Sequence, residues 1–495
     1  MAKLLVKLER DGRIPLHRQL YEEIRQLILS GELKANTKLP STRVLSEELN
    51  VSRPTASAAY KQLLDEGYLQ TFSGFGTFVS ANLPDASLLE SNRQQSVQPG
   101  KAAKQSLSSC GSYFHNKNPI DYEQKELWID FRDGSPALDR FPLRLWRKLM
   151  MESYSTSALS ALEYPADPRG YLPLRQALAN YLRRVRSVVC GEEQIIIVAG
   201  SQQALNLVAR VHVDIGDAVA LEEPGFPGAR EIFASYGAYL KPIPVDEEGL
   251  ITESLLKFDR APKVLYLTPS HQYPLGSVLS LPRRIDITNW GKAKGAVIVE
   301  DDYDGEFRYE GRPLPALQSL NNQCQVVYIG TFSKVLFPSL RIGYMVVPDH
   351  LVDVYSWAKR TADHSSPVVE QMALAEFILG GAFERHIRQM RTLYNHRRQS
   401  LVQSLKAQFG EGVTILGENT GMHFTARIRH QGDVESLPEK LLVRGVRLPS
   451  TRLNYLAGQY PGGEFIFNYA NNGEKKSAAA VMLMARLLAK TDEVH

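Results

Sequence analysis

The chain has 495 residues, 43% of them apolar and 23% charged, and a net charge of +4. That is too long for one hydrophobic core, so two or three domains are expected. The balance is that of a globular protein rather than a disordered or collagenous one. No apolar run approaches the length of a membrane span. The three cysteines (Cys110, Cys190, Cys324) are widely spaced, which argues against a zinc site or a disulfide framework and for a reducing, cytoplasmic compartment. Residues 1–13 carry charge throughout, so no signal peptide is expected.

Pro15 to Ser30 is predicted to be an amphipathic helix. Leu16, Leu20, Ile24, Leu27 and Ile28 recur at helical spacing, with Pro15 in the first turn and Gly31 as a stop. A short second helix is capped by Ser41 and turns Val44, Leu45 and Leu49 inward. A third begins at Ser52-Arg53-Pro54-Thr55, with Ser52 as N-cap and Pro54 where a missing N–H costs nothing. Ala56, Ala59, Tyr60, Leu63 and Leu64 form its buried stripe, and Gly67 ends it. Tyr68 to Val79 then alternates around Gly74-Phe75-Gly76, as a hairpin with a glycine turn does.

Three helices followed by a hairpin make a winged helix-turn-helix. The third helix would present Arg53, Thr55, Ser57 and Lys61 to a DNA groove. Residues 1–80 hold 11 Lys/Arg against 9 Asp/Glu, so charge alone does not separate a DNA reader from a small interaction module. Pattern does. Leu39-Pro40-Ser41-Thr42-Arg43, Val51-Ser52-Arg53-Pro54-Thr55, and Glu66-Gly67-Tyr68-Leu69 with Gly74-Phe75-Gly76-Thr77-Phe78-Val79 resemble the GntR family of winged-helix regulators. The resemblance implies DNA contacts from Arg43, from Ser52, Arg53 and Thr55 on the recognition helix, and from Gly74 to Gly76 at the wing.

Residues 81–126 are rich in Ser, Gln, Asn and Lys without a sustained apolar period, and are expected to be a flexible tether. From residue 127 on, short β-branched runs (Ile195 to Ala199, Ala218 to Leu221, Val264 to Leu267, Val297 to Val299, Val326 to Ile329) alternate with helical stretches. This predicts an α/β sheet covered on both faces, with ligands held at loops after the strands.

The candidate site residues fall at such loops. Gly200-Ser201-Gln202 opens a helix whose amides suit a phosphate. Phe226 follows a strand and could stack on a flat ring. Glu300-Asp301-Asp302-Tyr303-Asp304 puts an acid cluster and a phenol directly after another strand; one carboxylate could hold a pyridine nitrogen protonated. In Thr331-Phe332-Ser333-Lys334, followed by Arg341, two hydroxyls and an arginine suit a phosphate and Lys334 suits a Schiff base. Each residue alone has a bland reading as a cap, packing or a solvated charge; the set in this order does not.

The set resembles the fold type I pyridoxal 5'-phosphate (PLP) aminotransferases, over about Trp128 to the C-terminus. The resemblance implies phosphate binding by Ser201, Gln202, Thr331, Ser333 and Arg341. It also implies ring stacking by Phe226, a nitrogen partner in Asp301, a ring-hydroxyl contact from Tyr303 and the covalent link at Lys334. Tyr164 would reach the phosphate of a neighbouring subunit, which implies a homodimer with shared sites. Two departures stand out. Tyr273 occupies the place of a usual asparagine, and Ile466 stands where a substrate-carboxylate arginine is usual, with Arg452 a candidate substitute.

Joined to the winged helix, the chain resembles the MocR/GabR-type GntR regulators, also through Thr268-Pro269-Ser270-His271-Gln272-Tyr273-Pro274-Leu275-Gly276. The expectation is a PLP-dependent transcriptional regulator, a head-to-tail homodimer that binds a DNA operator and answers to PLP or to an amine or amino acid. Two alternatives are an active aminotransferase with an accessory DNA-binding domain and a DNA-binding protein with a merely dimerising scaffold.

Overall fold

The computed structural model describes residues 6, 8–10, 14–83, 106–117, 126–154, 163, 167–311, 315–320, 324–456 and 460–489. The chain divides into two compact units, Met1–Ser106 and Leu107–His495.

The first unit is built from α1 (Leu16–Leu29), α2 (Thr42–Glu48), α3 (Arg53–Asp65), β1 (Leu69–Phe72) and β2 (Gly76–Val79). Ser41 and Ser52 cap α2 and α3 by accepting the N–H of Val44 and Thr55, which satisfies amides that the first helical turn leaves free. Leu20, Ile24, Leu45, Ala56, Ala59 and Leu63 are fully buried together, so the stripes expected from spacing make one core. β1 and β2 pair antiparallel, and Gly74 and Gly76 take φ of 80° and 110° at the tip, a backbone region that glycine enters without steric cost.

The second unit opens with α4 (Ser109–His115), inside the stretch expected to be a tether. Seven residues are too few for a helical period to register, but Ser108 caps the helix and it packs on the helix Pro227–Ser235, where Lys117 pairs with Glu231 at 3.5 Å.

The central sheet comprises β3 (Ile195–Val198), β4 (Ala218–Glu223), β5 (Tyr239–Asp246), β6 (Gly249–Leu250), β7 (Val264–Leu267), β8 (Val297–Asp302), β9 (Val326–Thr331) and β10 (Gly343–Val346), in the order β3-β10-β9-β8-β7-β4-β5-β6. β8, β9, β7, β4 and β5 run parallel, while β10 lies antiparallel between β9 and β3. Both faces are buried, as the near-continuous apolar runs require. Ile195 and Ile197 of β3 join one core and Ile196 and Val198 another, so alternate side chains serve opposite layers. Helices α5 (Ser201–His212) and α6 (Pro227–Ser235) leave from the ends of β3 and β4. A second, three-stranded antiparallel sheet holds Val413–Leu416, His423–Ile428 and Glu464–Asn468.

Two expectations are corrected. The acid cluster does not follow its strand: Glu300, Asp301 and Asp302 are the last residues of β8 and are buried. Their partners come from other parts of the chain. Arg186 reaches Asp302 at 2.6 Å, and the Tyr328 hydroxyl also donates to Asp302. β9 likewise runs on through Thr331.

Candidate functional site

Because β3, β4, β7, β8 and β9 are parallel in space, their C-terminal ends meet at one edge of the sheet, where such folds hold ligands. A cavity of about 60 Å³ opens there, lined among others by Ser201, Phe226, Asp301, Tyr303 and Lys334. Five of the residues expected from sequence are therefore brought together.

Asp301 forms one end. Its Oδ2 accepts the Tyr266 hydroxyl at 2.9 Å, while its buried Oδ1 has no partner. Burial pushes its carboxyl up to about 7, although the Tyr266 bond and the Lys334 charge pull the other way. Lys334 forms the other end. Its Nζ lies 3.4 Å from Oδ2 of Asp133, which sequence reasoning missed. Lys334 and Asp133 are 24% and 26% exposed, so the cavity opens to solvent here. Burial opposes ionisation of Asp133, but Lys334, His423 and the Tyr273 hydroxyl together hold its carboxyl below the ordinary value. Tyr273 donates to Asp133 Oδ1 at 3.2 Å.

Tyr303 is backed by a pair that the sequence did not single out. His271 Nδ1 lies 3.0 Å from both oxygens of Asp304 and 3.0 Å from the Tyr303 hydroxyl. A carboxylate only accepts, so the proton of Nδ1 is donated towards Asp304. That nitrogen then has no lone pair for Tyr303, whose oxygen shares the same hydrogen and whose own O–H is left for the cavity. Burial raises the Tyr303 phenol well above its ordinary range, which keeps it a donor. His423, Asp304 and His271 bring ligand atoms within 4.8 Å of one another, a grouping of the kind that holds metal ions. Here His271 Nδ1 and both Asp304 oxygens are engaged in the hydrogen bonds just described, and Asp304 Oδ2 also accepts the Met422 N–H, while His271 Nε2 is buried without a hydrogen-bond partner.

The expected phosphate donors cluster at the start of α5. Gly200, at φ 93°, lies against the Arg341 guanidinium, where a Cβ would come within 3.1 Å of Nη2. Arg341 donates to the Ala199 carbonyl at 2.7 Å. Ser333 Oγ is buried without a partner, and Thr331 Oγ1 accepts the Ser333 N–H at 3.2 Å. Phe226 packs edge-on to Tyr273 with ring centroids 5.6 Å apart.

Two further expected residues are not on the cavity wall, and a third is outside the described residues. Gln202 is exposed at the second position of α5, with its Nε2 beside Gly228 and near the Phe226 ring; like Thr331, Ser333 and Arg341 it is not on the cavity wall itself. Arg452 sits exposed on a short turn, Thr451–Asn454, also off the cavity. Next to it the Leu453 carbonyl accepts from Arg230, and the Leu456 N–H donates to Glu223. Tyr164 lies outside the described residues. Ile466 is buried in an apolar cluster with Tyr273 and Tyr303, with Phe226 packed against it.

In the first unit, Arg53 is exposed at the start of α3 and Arg43 is exposed on α2, where it pairs with Glu47 at 3.3 Å. The Ser52 and Thr55 hydroxyls are 2.7 Å apart and Ser52 Oγ takes the Thr55 N–H, so both are engaged in the cap. Lys38, unflagged by sequence, bridges to Phe78 beside Gly76 and adds a cation to the wing.

These two units define a class: a winged-helix regulatory domain fused to an aminotransferase-like α/β domain. Residues 16–79 match the family of bacterial regulatory proteins called gntR, and residues 128–459 match aminotransferase class I and II. The chain belongs to the MocR/GabR-type GntR regulators and is a transcriptional regulator with an aminotransferase-like domain. It is 39% identical to a probable rhizopine catabolism regulatory protein, MocR, of Rhizobium meliloti, over 92% of this chain and 89% of that protein. It is 32% identical to the pyridoxine biosynthesis regulator PdxR of Corynebacterium glutamicum, over 96% of each. Among solved structures, a Pyrococcus horikoshii kynurenine aminotransferase matches with a TM-score of 0.68 at 27% identity, covering 81% of this chain and 99% of that one. The α-aminoadipate aminotransferase LysN of Thermus thermophilus, complexed with N-(5'-phosphopyridoxyl)-L-leucine, matches at 0.68 and 28%, covering 79% and 96%. Among the described residues no helix is long and apolar enough to cross a membrane.

Proposed function

We propose that this regulator holds PLP in the cavity between Lys334 and Asp301 and uses it to read an amine, and that the outcome is passed to DNA through the winged helix. The observation that carries this is the buried, unpartnered Oδ1 of Asp301, a residue that lines the same cavity as Lys334. A carboxylate oxygen stripped of water and given no donor is costly unless a ligand supplies one. A protonated ring nitrogen is such a donor.

Bound there, the cofactor would supply an aldehyde carbon that condenses reversibly with an amine. The chain's own residues do the rest. Asp301 would keep a proton at the ring nitrogen, Phe226 would cover the ring, and Tyr303 would donate its O–H to the ring hydroxyl. Ser201, Thr331, Ser333 and Arg341 would hold the phosphate at the start of α5, where free amides and the helix dipole favour an anion. Gln202, next to Ser201 in the same first turn, would join them. With the cofactor bound, an effector amine that displaced Lys334 would free the lysine and change the contacts of Asp133, a local difference able to bias a two-state arrangement.

The protein would act in the cytoplasm as a homodimer, head-to-tail by family resemblance, on an operator with two half-sites. Arg43, Arg53 and Lys38 would meet phosphates, and Gly74 and Gly76 would let the wing approach the backbone. Sustained transamination is the competing reading; it requires turnover of an amino acid with a 2-oxo acid.

The test is binding to the DNA upstream of its own gene, with and without PLP, for wild type and Lys334→Ala. The expected result is a PLP-dependent change in affinity or footprint that the variant lacks. Identical binding in every condition would leave the large unit a scaffold.

A further inference from the structure

We propose that the effector read at this site is a cationic amine without a carboxylate, a diamine in its simplest form, and that Asp133 is the residue that selects it. This rests on the reading of the cavity as the seat of a cofactor linked to Lys334.

The charges on the cavity wall carry the argument. They are two carboxylates, Asp133 and Asp301, and one amine, Lys334. The remaining lining is aromatic or hydroxyl-bearing, and no guanidinium faces it among the described residues. The arginines nearby stand off this wall. Arg230 lines a neighbouring cleft that shares Phe226 with the cavity, and it donates to the carbonyls of Leu453 at 2.9 Å and Tyr455 at 3.5 Å. Arg341 lies beside Gly200 at the phosphate end and is not on the cavity wall, and Arg452 is exposed and does not line the cavity.

An amine that takes the place of Lys334 brings its own substituents to the neighbourhood of Lys334 Nζ, and Asp133 stands 3.4 Å from that atom. A carboxylate on the effector would face the charge of Asp133. Against the Ile466, Tyr273 and Phe226 cluster it would find no cation. Two like charges in a partly water-excluded pocket repel strongly. A second ammonium meets the opposite situation. Asp133 Oδ1 has one long hydrogen bond from Tyr273, at 3.2 Å, and Oδ2 has only the 3.4 Å contact with Lys334. An ionised carboxylate offers about four acceptor sites, so capacity remains even when Lys334 is freed as an ammonium beside it.

The exchange itself balances. One carbon–nitrogen double bond replaces another, the two hydrogens lost by the incoming ammonium appear on Lys334, and total charge is unchanged. The second ammonium takes no part in it; its role is recognition.

The experiment titrates the full-length protein, loaded with PLP, with three chain-matched probes: putrescine, n-butylamine and gamma-aminobutyrate. The readout is the absorbance of the Lys334-bound cofactor, with the DNA footprint as a second readout. Putrescine is expected to bind about ten-fold or more tightly than n-butylamine, the worth of one charged hydrogen bond, and gamma-aminobutyrate weakest. Asp133→Asn should erase the putrescine advantage over n-butylamine, whatever loss both amines share because the freed Lys334 ammonium no longer has a carboxylate beside it. If that variant does not load cofactor, Asp133→Ser gives the same comparison. Gamma-aminobutyrate binding as well as putrescine, or a ranking unchanged by loss of Asp133, overturns the proposal. Failure of the wild type to develop the absorbance at all is a different result: it removes the cofactor reading, and the proposal with it.

Discussion

Lys334 Nζ approaches Asp133 Oδ2 at 3.4 Å across 201 positions of sequence, and the residue after Asp133 is a glycine whose missing side chain makes the approach possible. Gly134 has φ 95°, and a Cβ built on it would collide with Lys334 Nζ. Gly134→Ala therefore forces either the loop or the lysine to move. Backbone strain at such a position costs of order 1–3 kcal/mol. The variant is expected to fold with reduced stability and to lose most of its PLP-linked absorbance, measured by spectral titration. Full cofactor loading with unchanged stability would mean that Lys334 is not held against this loop.

The sequence was readable where one element determines its own signal. The three N-terminal helices, their serine caps and the hairpin follow from local spacing, as do β3, β4, β7 and β9. Lys334, Asp301, Tyr303, Phe226 and Ser201 were legible because each sits at or next to the end of a strand. Asp133 was not, because only the fold brings its loop to Lys334. The His271–Asp304 pair was hidden for the same reason: each lies in a motif whose partner is 33 residues away. Glu300 to Asp302 were read as a loop because charge ordinarily marks one. They belong to a buried strand because Arg186, Tyr328 and Tyr266 compensate them. Nor could spacing show that β10 runs against its neighbours, since a short apolar run carries no direction.

Asp301 makes the stability of the cofactor-free protein depend on pH. Burial raises its carboxyl from 3.8 to about 7. The folded state thus keeps a proton that the unfolded chain releases. This contribution is fully present below pH 3.8 and is lost as pH rises towards about 7. Asp301→Asn removes it. Across that window wild type should lose stability relative to the variant by up to about 1.4 kcal/mol per pH unit. Denaturant unfolding of both proteins at several pH values checks this, and parallel curves would place the Asp301 titration outside the window.

Arg341 and Ser333 should separate phosphate binding from the covalent link. Arg341→Ala removes a guanidinium beside Gly200, and Ser333→Ala removes a buried hydroxyl that has no protein partner. Loss of charged hydrogen bonds worth about 1.5–3 kcal/mol should weaken PLP by roughly ten- to a hundred-fold in Arg341→Ala. Pyridoxal, which lacks the phosphate, should bind wild type and this variant alike. Ser333→Ala should weaken PLP less and should not destabilise the cofactor-free protein. Equal losses for PLP and pyridoxal would show that Arg341 supports the loop rather than the phosphate.

Arg53 and Ser52 are neighbours at the start of α3 with different work to do. Arg53 is exposed and makes no ion pair among the described residues, so its guanidinium is available to a phosphate. Ser52 is occupied as the cap, taking the Thr55 N–H at 3.2 Å. Arg53→Ala should weaken operator binding and lower the salt slope by about one counterion, while leaving thermal stability unchanged. Ser52→Ala should cost about 1 kcal/mol of stability in the first unit through the lost cap. Below its unfolding transition, its salt slope should match wild type, because no phosphate contact is removed. The two variants are compared by DNA titration over a salt series and by thermal unfolding. If Ser52→Ala instead changes the salt slope and not the stability, its hydroxyl is a DNA contact and the cap is dispensable.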